Sequence, residues 1–246
     1  PPVTGAGRGV RVGGGPGDPG LLTRRGWERL AEADVVVVDR LAPLAALEGL
    51  RDDVVVVDVS KVPRGNFTPQ ERINAVLVEH ALAGRVVVRL KGGDPFVLGR
   101  GMEELEACAE AGIEVEVVPG VTSAVAVPGL AGIPVTHRGL SQGFTVVSGH
   151  VPPGDPRGSV GWASLARSGT TLVCLMAVDN LPLIATELLA GGLPADTPVA
   201  CIQEGGLPGQ RVVRTDLGRV VTEGAGVRSP AVVVIGAVAA MARAGS

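Results

Sequence analysis

Residues 10–39, with the sequence VRVGGGPGDPGLLTRRGWERLAEADVVVVD, decide the fold class of this chain. β-Branched residues at each end flank a glycine- and proline-rich loop at 13–20 and a segment at 21–33 whose apolar residues recur with helical spacing. This order predicts a β-strand, a turn, an α-helix capped by Asp18 or Thr23, and a second β-strand. Strand–helix–strand units of this kind build parallel sheets.

The same alternation continues along most of the chain. We expect further helices over 43–50, 69–82, 103–111 and 181–190, and further strands over 54–59, 85–90, 113–118, 144–148, 170–176, 198–203, 210–215 and 231–237. Thr68 is the expected N-cap of the helix over 69–82. The loop at 133–138 interrupts the pattern, so we place a domain boundary there. The sequence therefore predicts an α/β protein with two α/β domains, residues 10–138 and 139–246, and a mostly parallel sheet in the first.

The composition excludes several classes of protein. Apolar residues make up 46% of the chain and charged residues 19%, which is typical of a folded protein and excludes a disordered chain. The formal net charge of −3 disfavours a nucleic-acid partner. No apolar run reaches the length of a membrane span. We therefore expect a cytoplasmic protein that binds neither nucleic acid nor a membrane.

The cysteines and histidines are scattered along the chain. Cys108, Cys174 and Cys201 form no C-x-x-C pair, and the histidines lack the spacing that places two ligands on one helical face. We therefore predict neither a disulfide framework nor a metal site.

Small residues are concentrated in three loops that follow predicted strands. The loops cover 13–20, 91–96 and 119–124, and ligands bind outside the carboxyl ends of the strands in open parallel sheets. In the second loop, Asp94 either accepts a hydrogen bond from a ligand or closes an Asx-turn on its own backbone. These loops are the predicted ligand site.

The loop at 13–20 allows two interpretations. Its glycines match G-x-G-x-x-G between a strand and a helix, and Asp39 ends the next strand, as in a dinucleotide-binding turn. Pro16 and Pro19, however, lack the backbone N–H groups with which such a turn binds a pyrophosphate. On this loop alone, a nicotinamide-dependent oxidoreductase and a tight strand-to-helix turn both remain open.

Several separated motifs together resemble one family. They are GGPGDP at 14–19, VDRL at 38–41, RLKGGDPF at 89–96, GRGMEE at 99–104, PGVTSA at 119–124 and GIPVTHRG at 132–139. Their order and spacing resemble those of the uroporphyrinogen-III C-methyltransferases, a group within the tetrapyrrole methylases.

The resemblance implies a class III methyltransferase with the tetrapyrrole methylase fold, which acts as a homodimer and binds S-adenosylmethionine in a cleft between its two domains. Such an enzyme transfers two methyl groups to C2 and C7 of uroporphyrinogen III, giving precorrin-2 for sirohaem or cobalamin, and needs no metal. The alternatives are another precorrin methylase, the oxidoreductase above, and a regulatory domain that binds S-adenosylmethionine without turnover. Asp39 and Lys61 argue against the last of these.

The resemblance also assigns roles to individual residues. The proton acceptor falls on Asp39 and the proton donor on Lys61. The cofactor contacts fall on Pro16, Gly92, Gly93, Asp94, Val97, Thr122, Ser123, Met176 and Gly205. Because the substrate is a polycarboxylate, basic residues on the motif loops are expected to bind it. These residues are Arg24, Arg40, Arg100, His137 and Arg138.

One of these positions, Asp39, and the neighbouring Lys91 also have plainer interpretations. Asp39 is equally suited to cap a helix or to pair with Arg40. Lys91 is expected to stabilise the loop that follows it rather than to take part in catalysis.

Overall fold

The computed structural model describes residue 5 and residues 7–60 and 68–241. Contacts within the chain divide it into two units, Pro1–Ser123 and Ala124–Ser246, and each contains one five-stranded sheet with helices. The α/β class and the parallel first sheet are confirmed. The domain limits of 10–138 and 139–246 stay a prediction, because a division by contacts does not test which segment folds on its own.

The first unit is built around a fully parallel sheet with the strand order β3-β2-β4-β1-β5. Its strands are β1 (Arg8–Gly13), β2 (Val35–Val38), β3 (Val55–Asp58), β4 (Val86–Lys91) and β5 (Val115–Val118). Its helices are α1 (Arg24–Ala31), α2 (Gln70–Leu82) and α3 (Gly101–Glu110), with 3₁₀ turns at Pro19–Leu21 and Leu44–Gly49.

Both faces of this sheet are covered, which explains why the strand β2 is apolar and buried at every position. Alternate residues of β4 face opposite sides. Val88 and Leu90 pack in one core with Leu30 of α1, whereas Val87 packs in the other with Leu77 of α2. The odd-numbered positions of β1 and β4 therefore face α2 and α3.

The second unit has a mixed sheet with the strand order β6-β7-β10-β8-β9, in which β6 and β7 are parallel and the other neighbours are antiparallel. Its strands are β6 (Phe144–Ser148), β7 (Thr171–Leu175), β8 (Pro198–Gln203), β9 (Arg211–Asp216) and β10 (Ala231–Ile235). The remaining helices are α4 (Ser123–Leu130), α5 (Trp162–Leu165), α6 (Leu181–Ala190) and α7 (Val220–Glu223), and the 3₁₀ turn Ala237–Ala240 follows β10. Apolar clusters cover both faces of this sheet as well.

Helix starts are where the structure departs from the sequence-based elements. Asp18 and Thr23 both act as caps, because Asp18 accepts a hydrogen bond from Gly20 in the 3₁₀ turn (2.7 Å) and Thr23 accepts one from Gly26 at the start of α1 (3.0 Å). The expectation that Thr68 caps the next helix is wrong. Pro69 is the N-cap of α2, and its backbone carbonyl accepts the first helical N–H groups without a side-chain cap.

Within residue 5 and residues 7–60 and 68–241, no helix combines the length and the apolar character that crossing a membrane requires.

Candidate functional site

The three glycine-rich loops meet at one edge of the first sheet. Their strands β4, β1 and β5 are neighbours in that order and run parallel, so their carboxyl ends lie side by side. Gly15 and Gly93 exchange two backbone hydrogen bonds, at 3.1 Å from Gly15 N to Gly93 O and 2.6 Å in the other direction. Gly14 N donates to Lys91 O at 2.7 Å. The first two loops are therefore joined by their backbones.

Asp94 ties the second loop to the third. Its Oδ1 accepts a hydrogen bond from Phe96 N at 2.8 Å, which closes the Asx-turn allowed by the sequence, and its Oδ2 accepts one from Gly120 N at 3.0 Å. Gly120 has to be glycine for this approach, because a Cβ there would overlap the carbonyl oxygen of Gly93 and the backbone of Gly13. The carboxylate thus organises the loops from within.

The first loop is not arranged as a phosphate cradle. The N–H groups of Gly14 and Gly15 already donate to carbonyls of the second loop, and the N–H of Gly20 donates to Asp18. Pro16 and Pro19 have no N–H to offer. Since a dinucleotide-binding turn depends on free backbone donors, the hydrogen bonding argues against the oxidoreductase interpretation.

Asp39 lies next to these loops, directly after β2, the neighbour of β4. Its side chain is 27% exposed. One oxygen, Oδ1, accepts a hydrogen bond from Leu41 N at 3.0 Å, and the other, Oδ2, accepts one from Arg89 Nη2 at 2.7 Å. The partner is thus Arg89 rather than Arg40, which is exposed. The carboxylate is fixed at both oxygens and still partly accessible.

Asp39 contacts a cluster of buried charged residues through Arg89, and the sequence did not predict this cluster. We call Arg11, Arg89, Lys91 and Glu104 the buried charge cluster. Glu104 of α3 is fully buried, and its Oε1 accepts hydrogen bonds from Lys91 Nζ (2.9 Å) and Arg89 Nε (3.2 Å). Arg11 Nε lies 3.4 Å from Glu104 Oε2.

Burial and the neighbouring Arg89 charge lower the pKa of the Lys91 ammonium below its ordinary value. Lys91 forms an ion pair with Glu104 of α3, and its expected role in stabilising the loop stays a prediction.

The other predicted cofactor residues divide between the units. In the first unit, Gly92 approaches Leu41 so closely that a Cβ would overlap its carbonyl oxygen, and Val97 N donates to Asp94 O at 3.3 Å. Thr122 and Ser123 follow Gly120, and Pro16 and Gly93 belong to the joined loops.

In the second unit, the two predicted cofactor residues follow strand ends. Met176 follows β7 and is 46% exposed, and Gly205 follows β8. The backbone is strained at both places, because Met176 and Glu204 have φ values of 54° and 50°. A Cβ at Gly205 would overlap the side chain of Val127.

The predicted substrate cations are all exposed side chains on loops or helix starts. Arg24 pairs with Glu28 at 3.2 Å. Arg100, with φ 54°, donates two hydrogen bonds to Glu103 at 2.8 and 2.6 Å, and this pairing raises the pKa of Arg100 and lowers that of Glu103. His137 and Arg138 lie in a turn of the second unit that His137 closes with Ser141.

Two predictions remain, the proton donor Lys61 and the absence of a metal site. Lys61, the predicted proton donor, lies outside the described residues. Among the residues that are described, no group of three or more His, Cys, Asp or Glu side chains is arranged to hold a metal ion.

Comparison with known proteins relates this chain to the tetrapyrrole methylases and to siroheme synthases. Residues 10–221 match the tetrapyrrole (corrin/porphyrin) methylases. Siroheme synthase 2 of Klebsiella pneumoniae is 44% identical over 96% of this chain and 51% of its own length, and the siroheme synthase of Edwardsiella ictaluri is 43% identical over 92% and 48%. The chain therefore spans about half the length of these relatives.

Solved structures match over nearly their whole length. The native uroporphyrin III C-methyl transferase of Thermus thermophilus is 41% identical, with a TM-score of 0.80 over 94% of this chain and 98% of that one. The same enzyme complexed with S-adenyl homocysteine is 40% identical, also with a TM-score of 0.80 and the same coverage. A cobalt precorrin-4 methyltransferase has a TM-score of 0.83 at 24% identity, which shows a shared fold.

Proposed function

Because this chain belongs to the tetrapyrrole (corrin/porphyrin) methylase family, we propose that it transfers two methyl groups from S-adenosylmethionine to C2 and C7 of uroporphyrinogen III, giving precorrin-2. The observation that carries the proposal is the match, at 41% identity, to 98% of a Thermus thermophilus uroporphyrin III C-methyl transferase. The predicted enzyme class and cofactor are confirmed by the family match and by the relative solved with S-adenyl homocysteine.

The joined loops are suited to hold the cofactor. Their glycines let the loops pack backbone against backbone, which fixes the shape of the surface proposed to hold the cofactor. The side chain of Met176 is exposed in the second unit. When bound, S-adenosylmethionine supplies a methyl group on a positively charged sulfur. The residues proposed to contact it are Pro16, Gly92, Gly93, Asp94, Val97, Thr122, Ser123, Met176 and Gly205.

Asp39 is proposed to accept the proton that leaves the methylated pyrrole. Its carboxylate is held at both oxygens, so its direction is set before the substrate arrives, and about a quarter of the side chain remains exposed for contact. Lys61 is proposed as the proton donor on the family resemblance. Arg24, Arg40, Arg100, His137 and Arg138 are proposed to bind the substrate carboxylates.

The setting of the enzyme is likewise a proposal. We expect a cytoplasmic homodimer that serves sirohaem or cobalamin synthesis. The siroheme synthase relatives are about twice as long as this chain, so activities that belong to the rest of those proteins are not ascribed to it.

The test is methyl transfer from isotopically labelled S-adenosylmethionine to uroporphyrinogen III without oxygen, followed by mass analysis of the product. We expect two labelled methyl groups per macrocycle. Transfer only to a later precorrin would instead identify another methylase of the family. Titration calorimetry should detect binding of S-adenosylhomocysteine and none of NAD.

Asp39→Asn tests the proton acceptor. Loss of a general base lowers turnover by about 10²-fold or more, so we expect that loss with the affinity for S-adenosylhomocysteine retained. The matched control is Asp53→Asn, which removes the same charge from an exposed turn where Asp53 pairs with Arg51. If Asp39→Asn lost the cofactor instead of turnover, the assignment of Asp39 would be wrong.

A further inference from the structure

The buried charge cluster lies beside an apolar core and reaches Asp39 through a hydrogen bond from Arg89. We propose that Arg89, anchored by Glu104, is a positioning residue that fixes the direction of the Asp39 carboxylate. The proposal rests on the proposed role of Asp39 as the proton acceptor.

Arg89 is held in one orientation by bonds from each of its nitrogens. Its side chain is 2% exposed. Nη2 donates to Asp39 Oδ2 at 2.7 Å, Nη1 donates to the carbonyls of Val37 (3.3 Å) and Leu90 (3.1 Å), and Nε donates to Glu104 Oε1 at 3.2 Å. A planar guanidinium with all three nitrogens engaged cannot turn away from Asp39 without breaking bonds.

Glu104 anchors Arg89 from the far side. The carboxylate is completely buried, and Lys91 and Arg11 approach it as well, at 2.9 and 3.4 Å. Glu104 is also linked to α2, since Gln70 Nε2 lies 3.5 Å from its Oε1. Arg89 is therefore held by α3 and by the central strands of the sheet rather than by a loop.

The net positive charge of the cluster also attracts the Asp39 carboxylate toward Arg89. The buried charge cluster contains three cations and one carboxylate, so it has an excess of positive charge in a core. Asp39 is the second carboxylate that the cluster contacts. Buried ion pairs contribute little net stability compared with well-packed apolar side chains, so a role in orienting Asp39 explains the buried Arg89–Glu104 pair better than stability does.

Arg89→Lys is the test, and Arg11→Lys is its matched control. Both residues are buried arginines on the same sheet face, both contact Glu104, and only Arg89 contacts Asp39. We expect Arg89→Lys to lower kcat about tenfold while the Kd of S-adenosylhomocysteine changes by less than about twofold, because a slightly displaced group loses rate more than binding. Arg11→Lys should change kcat by less than about twofold.

A double variant shows whether Arg89 acts through Asp39. In an Asp39→Asn background, Arg89→Lys should have no further effect on kcat. Equal losses of kcat in Arg89→Lys and Arg11→Lys, or a full additional loss in the double variant, would overturn the proposal. Should Arg89→Lys not fold, Glu104→Gln decides, because it weakens the anchor of Arg89 while Arg89 and Asp39 stay unchanged: a loss of kcat with the Kd of S-adenosylhomocysteine retained supports the proposal, and an unchanged kcat overturns it.

A crystal structure of Arg89→Lys separates this proposal from the proposed function. We expect the Asp39 carboxylate to turn from its present direction, and an unchanged direction would overturn the positioning role even if the enzyme methylates a different tetrapyrrole. Full turnover by Asp39→Asn would refute the role of Asp39 in the reaction and this proposal with it.

Discussion

At the scale of single residues, the Asp94 carboxylate organises the glycine-rich loop in which it lies. The sequence allowed an Asx-turn or a ligand contact, and in the structure both oxygens of Asp94 accept backbone hydrogen bonds, from its own turn and from the third loop. The turn is therefore confirmed, and the ligand contact stays a prediction. An effect of Asp94 on cofactor binding then follows from loop geometry alone.

Asp94→Ala is expected to weaken the affinity for S-adenosylhomocysteine about tenfold, because loss of the hydrogen bond from Gly120 N releases the second loop from the third and loss of the one from Phe96 N opens the turn. Titration calorimetry measures the effect. Asp155→Ala is the matched control, since Asp155 closes a similar turn on Arg157 N (2.9 Å) in the second unit. An unchanged affinity in Asp94→Ala would show that the tie is dispensable.

At the scale of elements, the parallel order of β4, β1 and β5 brings the three loops to one edge of the sheet. Their location could be predicted, since the carboxyl ends of parallel strands share an edge. Their mutual hydrogen bonds could not, because the partners Gly15 and Gly93 are distant in sequence and nothing local pairs them. The close approach of Gly120 to Gly13 and Gly93 is part of the same contact.

Gly120→Ala is expected to lower the free energy of unfolding by about 2 kcal/mol, because the new methyl group overlaps rigid backbone on two sides. Urea unfolding followed by circular dichroism measures it. Gly129→Ala is the control: this exposed glycine lies in α4, where an added Cβ meets nothing within 4 Å and alanine favours the helix. Equal stability of the two variants would contradict the close approach.

At the scale of the whole molecule, each unit has its own apolar cores, and all three thiols lie inside them. Cys108 belongs to the first unit, where it accepts a hydrogen bond from Arg11, and Cys174 and Cys201 belong to the sheet of the second. Burial raises the pKa of the Cys174 thiol to about 12 and that of Cys201 to about 11. The folded chain therefore presents no thiolate from either residue near neutral pH.

A disulfide reagent such as dithiobis-nitrobenzoate should modify none of the thiols in the folded protein at pH 8 and all three in denaturant. Above pH 9 the thiols of the unfolded chain ionise while those of Cys174 and Cys201 stay neutral in the fold. The free energy of unfolding should then fall as pH rises. Reaction of one thiol in the folded protein would show an opening that the structure does not contain.

The sequence by itself determined the fold class, the sheet edge at which the three glycine-rich loops lie, and the family. Strand and helix periodicity, turn residues and the motifs are each written within short stretches, so they can be read without a structure. Local patterns do not always suffice: Thr68 has a side chain suited to an N-cap, yet the N-cap of α2 is Pro69, whose backbone carbonyl accepts the first helical hydrogen bonds.

Only the tertiary structure decided which residues contact and orient the Asp39 carboxylate. Arg89 is 50 residues away from Asp39 along the chain, and Glu104 belongs to α3, the helix that follows β4. No local sequence pattern therefore links these three residues. Charged residues on a strand read as exposed positions, yet Arg11 and Arg89 are buried because α2 and α3 cover that face of the sheet. Packing between elements distant in sequence created the pairing, and only the folded chain brings those charges within bonding distance.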